Sequence, residues 1–159
     1  MMAAAEPVQG RDTSVPDPET TMAIADAAFL QSTVEQATLL LRASGSAFYV
    51  CTPNSEEMML VASRSVDPAS YDPQILERAC LAAESVSVLV SGGPVVLAVP
   101  CFFRDSVMGV LVVVDDDPQR VFDEHDIATI RPLADLTAAV LHQAGRLKRM
   151  TAVSYTHLT

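Results

Sequence analysis

Between Val95 and Val114 the chain is apolar almost without interruption, broken only by the polar triplet Arg104-Asp105-Ser106. Two β-prone runs joined by so short a turn read as a hairpin of adjacent antiparallel strands, Val95 to Phe103 and Val107 to Val114. The second run carries no polar alternation, so both of its faces must be covered. The chain therefore needs apolar segments to lay on two sides of one sheet, which points to helices above and below it.

Those segments are present. From about Thr20 to Ala43, Ile24, Ala27, Leu30, Val34, Ala37 and Leu41 recur every three or four residues, which predicts a helix that ends before Gly45. Ser46 to Thr52 and Met58 to Ser65 predict a second hairpin around Pro53, Asn54 and Ser55. After a polar connection over Asp67 to Asp72, Ile75, Leu76, Ala79, Cys80 and Ala83 mark a short helix, with Asp72 as N-cap and Pro73 in its first turn. Val86 to Val90 predicts a short strand ahead of the apolar hairpin. A long helix follows from Asp123 to about Met150, with Asp123 as cap, Glu124 and Asp126 at its positive end, and Pro132 inside it.

The predicted order is helix, two strands, helix, three strands, helix. Tight links between strands imply antiparallel pairing, so the expected fold is α/β in the α+β sense. A central antiparallel sheet of about five strands carries the terminal helices on one face and the short helix and loops on the other. Residues 1–21, with Pro7, Pro16 and Pro18 and no periodicity, predict a disordered leader, and residues 22–150 the folded unit. Val153 to Thr159 departs from the helix pattern and resembles translated sequencing-adapter read-through. This implies a non-native end on a truncated frame over residues 151–159, and it removes His157 from any functional argument.

Charge narrows the partners. The formal net charge is −10, and the only basic cluster is Arg146, Lys148 and Arg149. Nucleic acids and anionic membranes need a basic stripe, so neither is expected as a partner. No apolar run reaches the ~18 residues of a membrane span, and no secretory signal opens the chain, so a cytoplasmic location is expected.

Cys51, Cys80 and Cys101 are odd in number, form no Cys-x-x-Cys and sit in apolar runs. Buried, reduced thiols are the simplest reading, and no zinc site or disulfide frame is expected. His125 lies at the start of the last helix and reads as solvated. Asp115, Asp116 and Asp117 lack the loop spacing of a calcium site and read as a solvated turn. No metal ligands and no catalytic residues are expected.

The last helix carries two apolar seams. Ile127, Ile130, Ala134, Ala138 and Leu141 form one, and Leu133, Leu136, Val140 and Leu147 belong to the other. One seam can pack on the sheet while the other meets a second copy, which predicts a homodimer through the terminal helices.

Three segments together resemble a GAF domain. They are the opening helix running into Ala47-Phe-Tyr-Val-Cys51, the run Leu97-Ala-Val-Pro-Cys-Phe-Phe-Arg-Asp-Ser-Val-Met-Gly109-Val-Leu-Val, and Phe122-Asp-Glu-His-Asp126-Ile-Ala-Thr-Ile-Arg-Pro-Leu-Ala-Asp135. The resemblance covers about residues 23 to 147. It implies a GAF/PAS-like fold and a regulatory, non-enzymatic domain of a bacterial-style signalling protein. Such a domain responds to a small molecule, dimerises, and signals through its last helix to an output domain further along.

No haem, bilin or metal signature is present, so the cofactor is left unknown. No Asn-Lys precedes Phe122 as in cyclic-nucleotide-binding members, and no Cys stands beside a His as in bilin-binding ones. Any pocket is expected between the sheet and the cover over residues 67–94. Its candidate walls are Tyr49, Cys51, Val99 and Cys101, with Cys80 on the cover. Two other readings stay open: a ligand-free dimerisation module, degenerate GAF or roadblock-like, and a thiol-based enzyme resembling free methionine sulfoxide reductases.

Overall fold

The computed structural model describes the backbone of residues 18–51, 58–82, 86–89 and 93–158, and the side chains of residues 27–50, 58–81 and 93–145. The elements are α1 (Pro18–Leu41), β1 (Gly45–Cys51), β2 (Met58–Arg64), α2 (Gln74–Ala82), β3 (Val86–Leu89), β4 (Val95–Phe103), β5 (Ser106–Asp115) and α3 (Glu124–Leu158). All strand pairs are antiparallel, in the order β2-β1-β5-β4-β3.

β5 is the central strand, paired with β1 on one side and β4 on the other. That position explains its sequence. Val110, Leu111, Val112 and Val113 are fully buried because neighbours flank the strand and helices cover both faces. On one face Phe48, Leu97, Val99, Leu111 and Val113 meet α1 through Leu30, Val34 and Ala37, and α3 through Ile130, Ala134 and Ala138. On the other, Ala47, Tyr49, Val96, Ala98, Val110 and Val112 meet Ile75, Leu76 and Ala79 of α2. The expected layering, with terminal helices on one face and the short helix on the other, is the one observed.

Two polar residues on the buried face of α1 are satisfied locally. Thr33 Oγ1 donates to the Phe29 carbonyl at 3.0 Å and Thr38 Oγ1 to the Val34 carbonyl at 2.9 Å. Thr38 Oγ1 also lies 2.8 Å from Ser46 Oγ, which ties the helix to β1. The helix closes in a Schellman motif: Ala43 N–H donates to the Thr38 carbonyl, Arg42 N–H to the Leu39 carbonyl, and Arg42 takes φ 51°. Sequence reading placed the stop signal at Gly45. That glycine instead lies inside β1, where an added Cβ would sit 2.5 Å from the Ser65 carbonyl oxygen.

A left-handed Arg costs ~1–2 kcal/mol, against ~0.5–1 kcal/mol of extra chain entropy lost by a Gly. Arg42→Gly is therefore expected to stabilise the fold by about 0.5–1 kcal/mol. An equilibrium denaturation curve checks this, and a loss of stability would refute it.

Two boundaries differ from expectation. Residues 18–21, assigned to the leader, are helical, because proline fits the first helical position where its missing N–H has no partner to lose. The rest of the leader lies outside the described residues. α3 passes through Pro132 and continues to Leu158, beyond the apolar pattern that stopped near Met150 and through most of the segment set apart as a tail. The polar connection before α2 holds an unforeseen 3-10 turn over Pro68–Ser70, capped by Asp67 Oδ1 accepting from Ala69 N–H at 2.9 Å.

The expected cap of α3 is present and reciprocal. Asp123 Oδ1 accepts from Asp126 N–H at 3.0 Å, and Asp126 Oδ2 accepts from Asp123 N–H at 3.1 Å. The hydrogen bond from the Asp126 backbone, with smaller contributions from His125, holds the exposed Asp123 carboxyl below its ordinary pKa. A depressed folded-state pKa adds stability above the ordinary carboxylate range, and that stability disappears as pH falls through the folded value. The stability difference between wild type and Asp123→Ala, measured by denaturation, is thus expected to be present at neutral pH and to shrink on acidification. A difference that grows toward low pH would contradict the cap.

No helix among the described residues is long and apolar enough to cross a membrane.

Candidate functional site

The layer between α2 and the sheet holds one polar feature in an apolar setting. Strand alternation turns Tyr49 of β1 toward this face, together with Ala47 and opposite Val110. Tyr71 arrives from the segment between the 3-10 turn and α2. Two aspartates fix that segment: Asp67 caps the turn before Tyr71, and Asp72 Oδ1 accepts from Gln74 N–H at 2.9 Å to cap α2 after it. Tyr71 itself is extended, with φ −142°, and its ring enters the core.

The two phenol hydroxyls are hydrogen-bonded to each other. Burial pushes the Tyr71 pKa well above its ordinary value, and its hydrogen bond with Tyr49 adds to the shift, so this phenol stays protonated across the physiological range. Met58, Val66 and Cys80 border the cluster and are half-buried.

Of the five residues expected to wall a pocket, the structure brings Tyr49 and Cys80 together. It places Val99 and Cys101 on the opposite face. Register is the reason. Tyr49 pairs with Val110, which pairs with Pro100, whereas Phe48 pairs with Leu111, which pairs with Val99. Val99 and Cys101 therefore belong with Phe48 under α1 and α3, and Ala98 and Val96 are the β4 residues that share the face of Tyr49. The Cys51 side chain lies outside those described; its backbone pairs with Met58. The sheet stands between Cys80 and Cys101. Sequence reasoning missed Tyr71, whose one signal was a large aromatic inside an otherwise polar connection.

Of the acidic run expected to be a solvated turn, Asp116 and Asp117 are exposed, and Asp115, the last residue of β5, departs from the expectation. Asp115 is buried and accepts from Arg120 Nη1 at 3.1 Å, while Arg120 Nη2 donates to Asp126 Oδ1 at 3.3 Å. The Arg120 guanidinium also lies 4.6 Å from the Phe122 ring centroid. Among the described residues no group of three or more His, Cys, Asp or Glu is arranged to hold a metal ion. On α3, His142 stacks on Phe103 with ring centroids 4.2 Å apart.

The four residues of the expected dimer seam divide. Leu133 packs partly against the core, Val140 is half-buried, Leu136 is 55% exposed, and the Leu147 side chain lies outside those described. The other seam, through Ile130, Ala134 and Ala138, is fully buried on the sheet.

A five-stranded antiparallel sheet with its terminal helices on one face and a short helix on the other defines a small α+β domain of the GAF/PAS type. The sequence pattern of the GAF domain family matches residues 27–141, and the chain belongs to that family. No curated protein matches the sequence.

Solved structures agree on the fold. The chain is similar to the GAF domain of a phosphoenolpyruvate-protein phosphotransferase from Acinetobacter, with 20% identity, 87% of this chain and 90% of that one covered, and a TM-score of 0.65. It is similar to the second GAF domain of DevS from Mycobacterium smegmatis, with 23% identity, coverage of 79% and 99%, and a TM-score of 0.65. It is also similar to the type II free methionine-R-sulfoxide reductase of Thermoplasma acidophilum, with 15% identity, coverage of 77% and 96%, and a TM-score of 0.63.

Proposed function

We propose that this chain is a regulatory, non-enzymatic sensory domain of the cytoplasm that responds to a small molecule, forms a homodimer through its terminal helices, and relays a change of state along α3 to an effector. The observation that carries this reading is the division of apolar residues on α3. Ile130, Ala134 and Ala138 are spent on the sheet, while Leu136 stands more than half exposed on the same helix. α1, which packs against α3, likewise leaves Leu39 and Leu40 exposed. A second copy laid along this helical layer removes those leucines from water. A ligand in the α2 layer acts on the relay only by favouring one of two helix arrangements over the other.

Native mass spectrometry of the full chain tests the reading. The expected result is a dimer with a retained small molecule, and a monomer for Leu136→Glu, because a carboxylate buried at the seam is costly. A dimer with no added mass favours a ligand-free dimerisation module, which the closely packed apolar residues on both sheet faces also support. A wild-type monomer at micromolar concentration overturns the helix-seam argument.

A further inference from the structure

Beside its buried seam α3 carries a second row of residues, Leu133, Leu136, Val140 and Gln143, separated by alternating steps of three and four, and the same steps lead on to Leu147 and Met150. Leu133 and Val140 are half-buried, Leu136 and Gln143 are exposed, and the helix continues to Leu158. A repeat of about 3.5 residues is the spacing at which one helix packs its seam continuously along another. Gln143 is the polar member of this row. Its amide both donates and accepts, so two such amides satisfy each other, whereas one placed against an aliphatic side chain is left unpaired in an apolar seam. The described residues that flank the row, Pro132, Thr137, Ala139 and Ala144, carry no charge, so the orientation of a second copy is not set by ion pairs there.

We propose that a second copy of this chain lies parallel to the first and in register along α3, with Gln143 of each chain paired to Gln143 of the other on the two-fold axis. This rests on the dimeric reading above and adds the orientation and the residue that fixes it. The exposed leucines of α1 decide the orientation. Leu39 and Leu40 lie near the end of α1, and that end is tied to the start of α3. Ser44 N–H donates to the Val114 carbonyl at 2.9 Å, Ser44 Oγ donates to Asp115 Oδ1 at 3.3 Å, and Arg120 joins Asp115 to Asp126. A parallel copy brings these leucines of the two chains to the same level. An antiparallel copy centred on Gln143 sets Met150 against the partner's Leu136, carries the partner's domain past the far end of α3, and leaves Leu39 and Leu40 in water.

The area suffices. From Asp126 to Met150 α3 is about 36 Å long, and two helices side by side are about 20 Å wide, so the helical layer offers roughly 700 Å² per copy. A standard stable interface takes about 800 Å² per partner. Parallel alignment also runs both helices away from their domains in the same direction, as a relay along α3 requires.

The test is disulfide trapping in the full chain. Leu136→Cys and Gln143→Cys are made separately and oxidised with diamide, which takes up the two thiol hydrogens as the S–S bond forms. Parallel, in-register helices bring each position to its own counterpart within the ~7 Å Cα separation that a disulfide spans. Both variants are expected to form covalent dimers on a non-reducing gel, on the order of tenfold above the wild-type chain, whose own cysteines give the background. Asp135→Cys, off the row, is expected to stay at background. An antiparallel pair can satisfy one of the two seam positions but not both.

Mixing reads the role of Gln143. Isotope-labelled wild type is combined with Gln143→Leu, and native mass spectrometry counts homodimers and mixed dimers. A mixed dimer holds one unpaired amide, so its share is expected to fall from the statistical one half to about one sixth or less. Trapping at fewer than both seam positions in chains that dimerise, trapping at position 135 as readily as in the seam, or mixed dimers at one half would overturn the inference. Any of these outcomes with a wild-type dimer leaves the dimeric reading standing and removes this one, while a wild-type monomer removes both. If a cysteine in the row prevents dimer formation, the mixing ratio decides alone.

Discussion

Gly109→Ala is expected to cost about 3 kcal/mol of stability, the upper end of the range for overpacking a core. Gly109 lies in β5, opposite Val50 on one side and Cys101 on the other, so hydrogen-bonded neighbours restrain its backbone in both directions. An added Cβ would fall 2.7 Å from Cε1 and Cζ of the Phe48 ring and would collide with the Tyr49 carbonyl oxygen. Ordinary carbon contacts lie near 3.5–4.0 Å. The Phe48 ring is fully buried under α1 and α3 and has nowhere to swing, and the carbonyl belongs to the neighbouring strand.

Relief therefore requires β1 and β5 to separate. For a chain of this size the loss corresponds to a fall of roughly 10 °C in melting temperature. Calorimetry or thermal circular dichroism reads it directly, and a fall equivalent to less than ~1 kcal/mol would show that the strands adjust more freely than this packing allows. Phe48→Leu in the same background should return part of the loss, because it removes the ring and leaves the carbonyl clash in place; the coupling is measurable in a double-mutant cycle.

Asp115→Ala is expected to cost about 2–3 kcal/mol, somewhat below the ~3–5 kcal/mol of breaking a fully buried pair. The discount reflects residual solvent, with the Asp115 and Arg120 side chains 13% and 20% exposed. The carboxylate has three donors. Oδ1 accepts from Asp117 N–H at 3.0 Å and from the Ser44 hydroxyl at 3.3 Å, and Oδ2 accepts from Arg120. Arg120 passes the connection to Asp126 in the cap of α3.

Removing Asp115 thus strips one partner from each of three groups and loosens the join between the central strand and the last helix. Asp115→Asn keeps an acceptor at nearly the same place and should lose less. Asp116→Ala, an exposed neighbour, is the control and should stay within ~0.5 kcal/mol of wild type in a urea denaturation series. An Asp115→Ala value no larger than that control would show the network to be energetically idle.

Local patterns in the chain were enough to locate nearly every element. A period of 3.6 residues marks α1, α2 and α3, continuous apolar β-prone runs mark β4 and β5, and aspartates ahead of apolar faces mark the caps at Asp72 and Asp123. These signals act over a few residues, so neighbours along the chain suffice to express them. The layering also followed from sequence, because an unalternating central hairpin has to be covered twice.

Contacts between distant segments were decided only in three dimensions. Tyr49 and Cys80 share a face while Val99 and Cys101 lie across the sheet, because the assignment depends on registers between β1, β5 and β4 and side chains alternate with a period of two. Tyr71 meets Tyr49 across 22 positions of chain, and Ser44 meets Asp115 across 71. The amino-acid sequence by itself determined which residues are apolar, which segments form helices and strands, and that the sheet is covered on both faces. Only the tertiary structure decided which phenol meets which, and which acidic residue is buried, because a hydrogen bond or ion pair between distant residues forms only when strand register and helix packing bring them within about 3 Å.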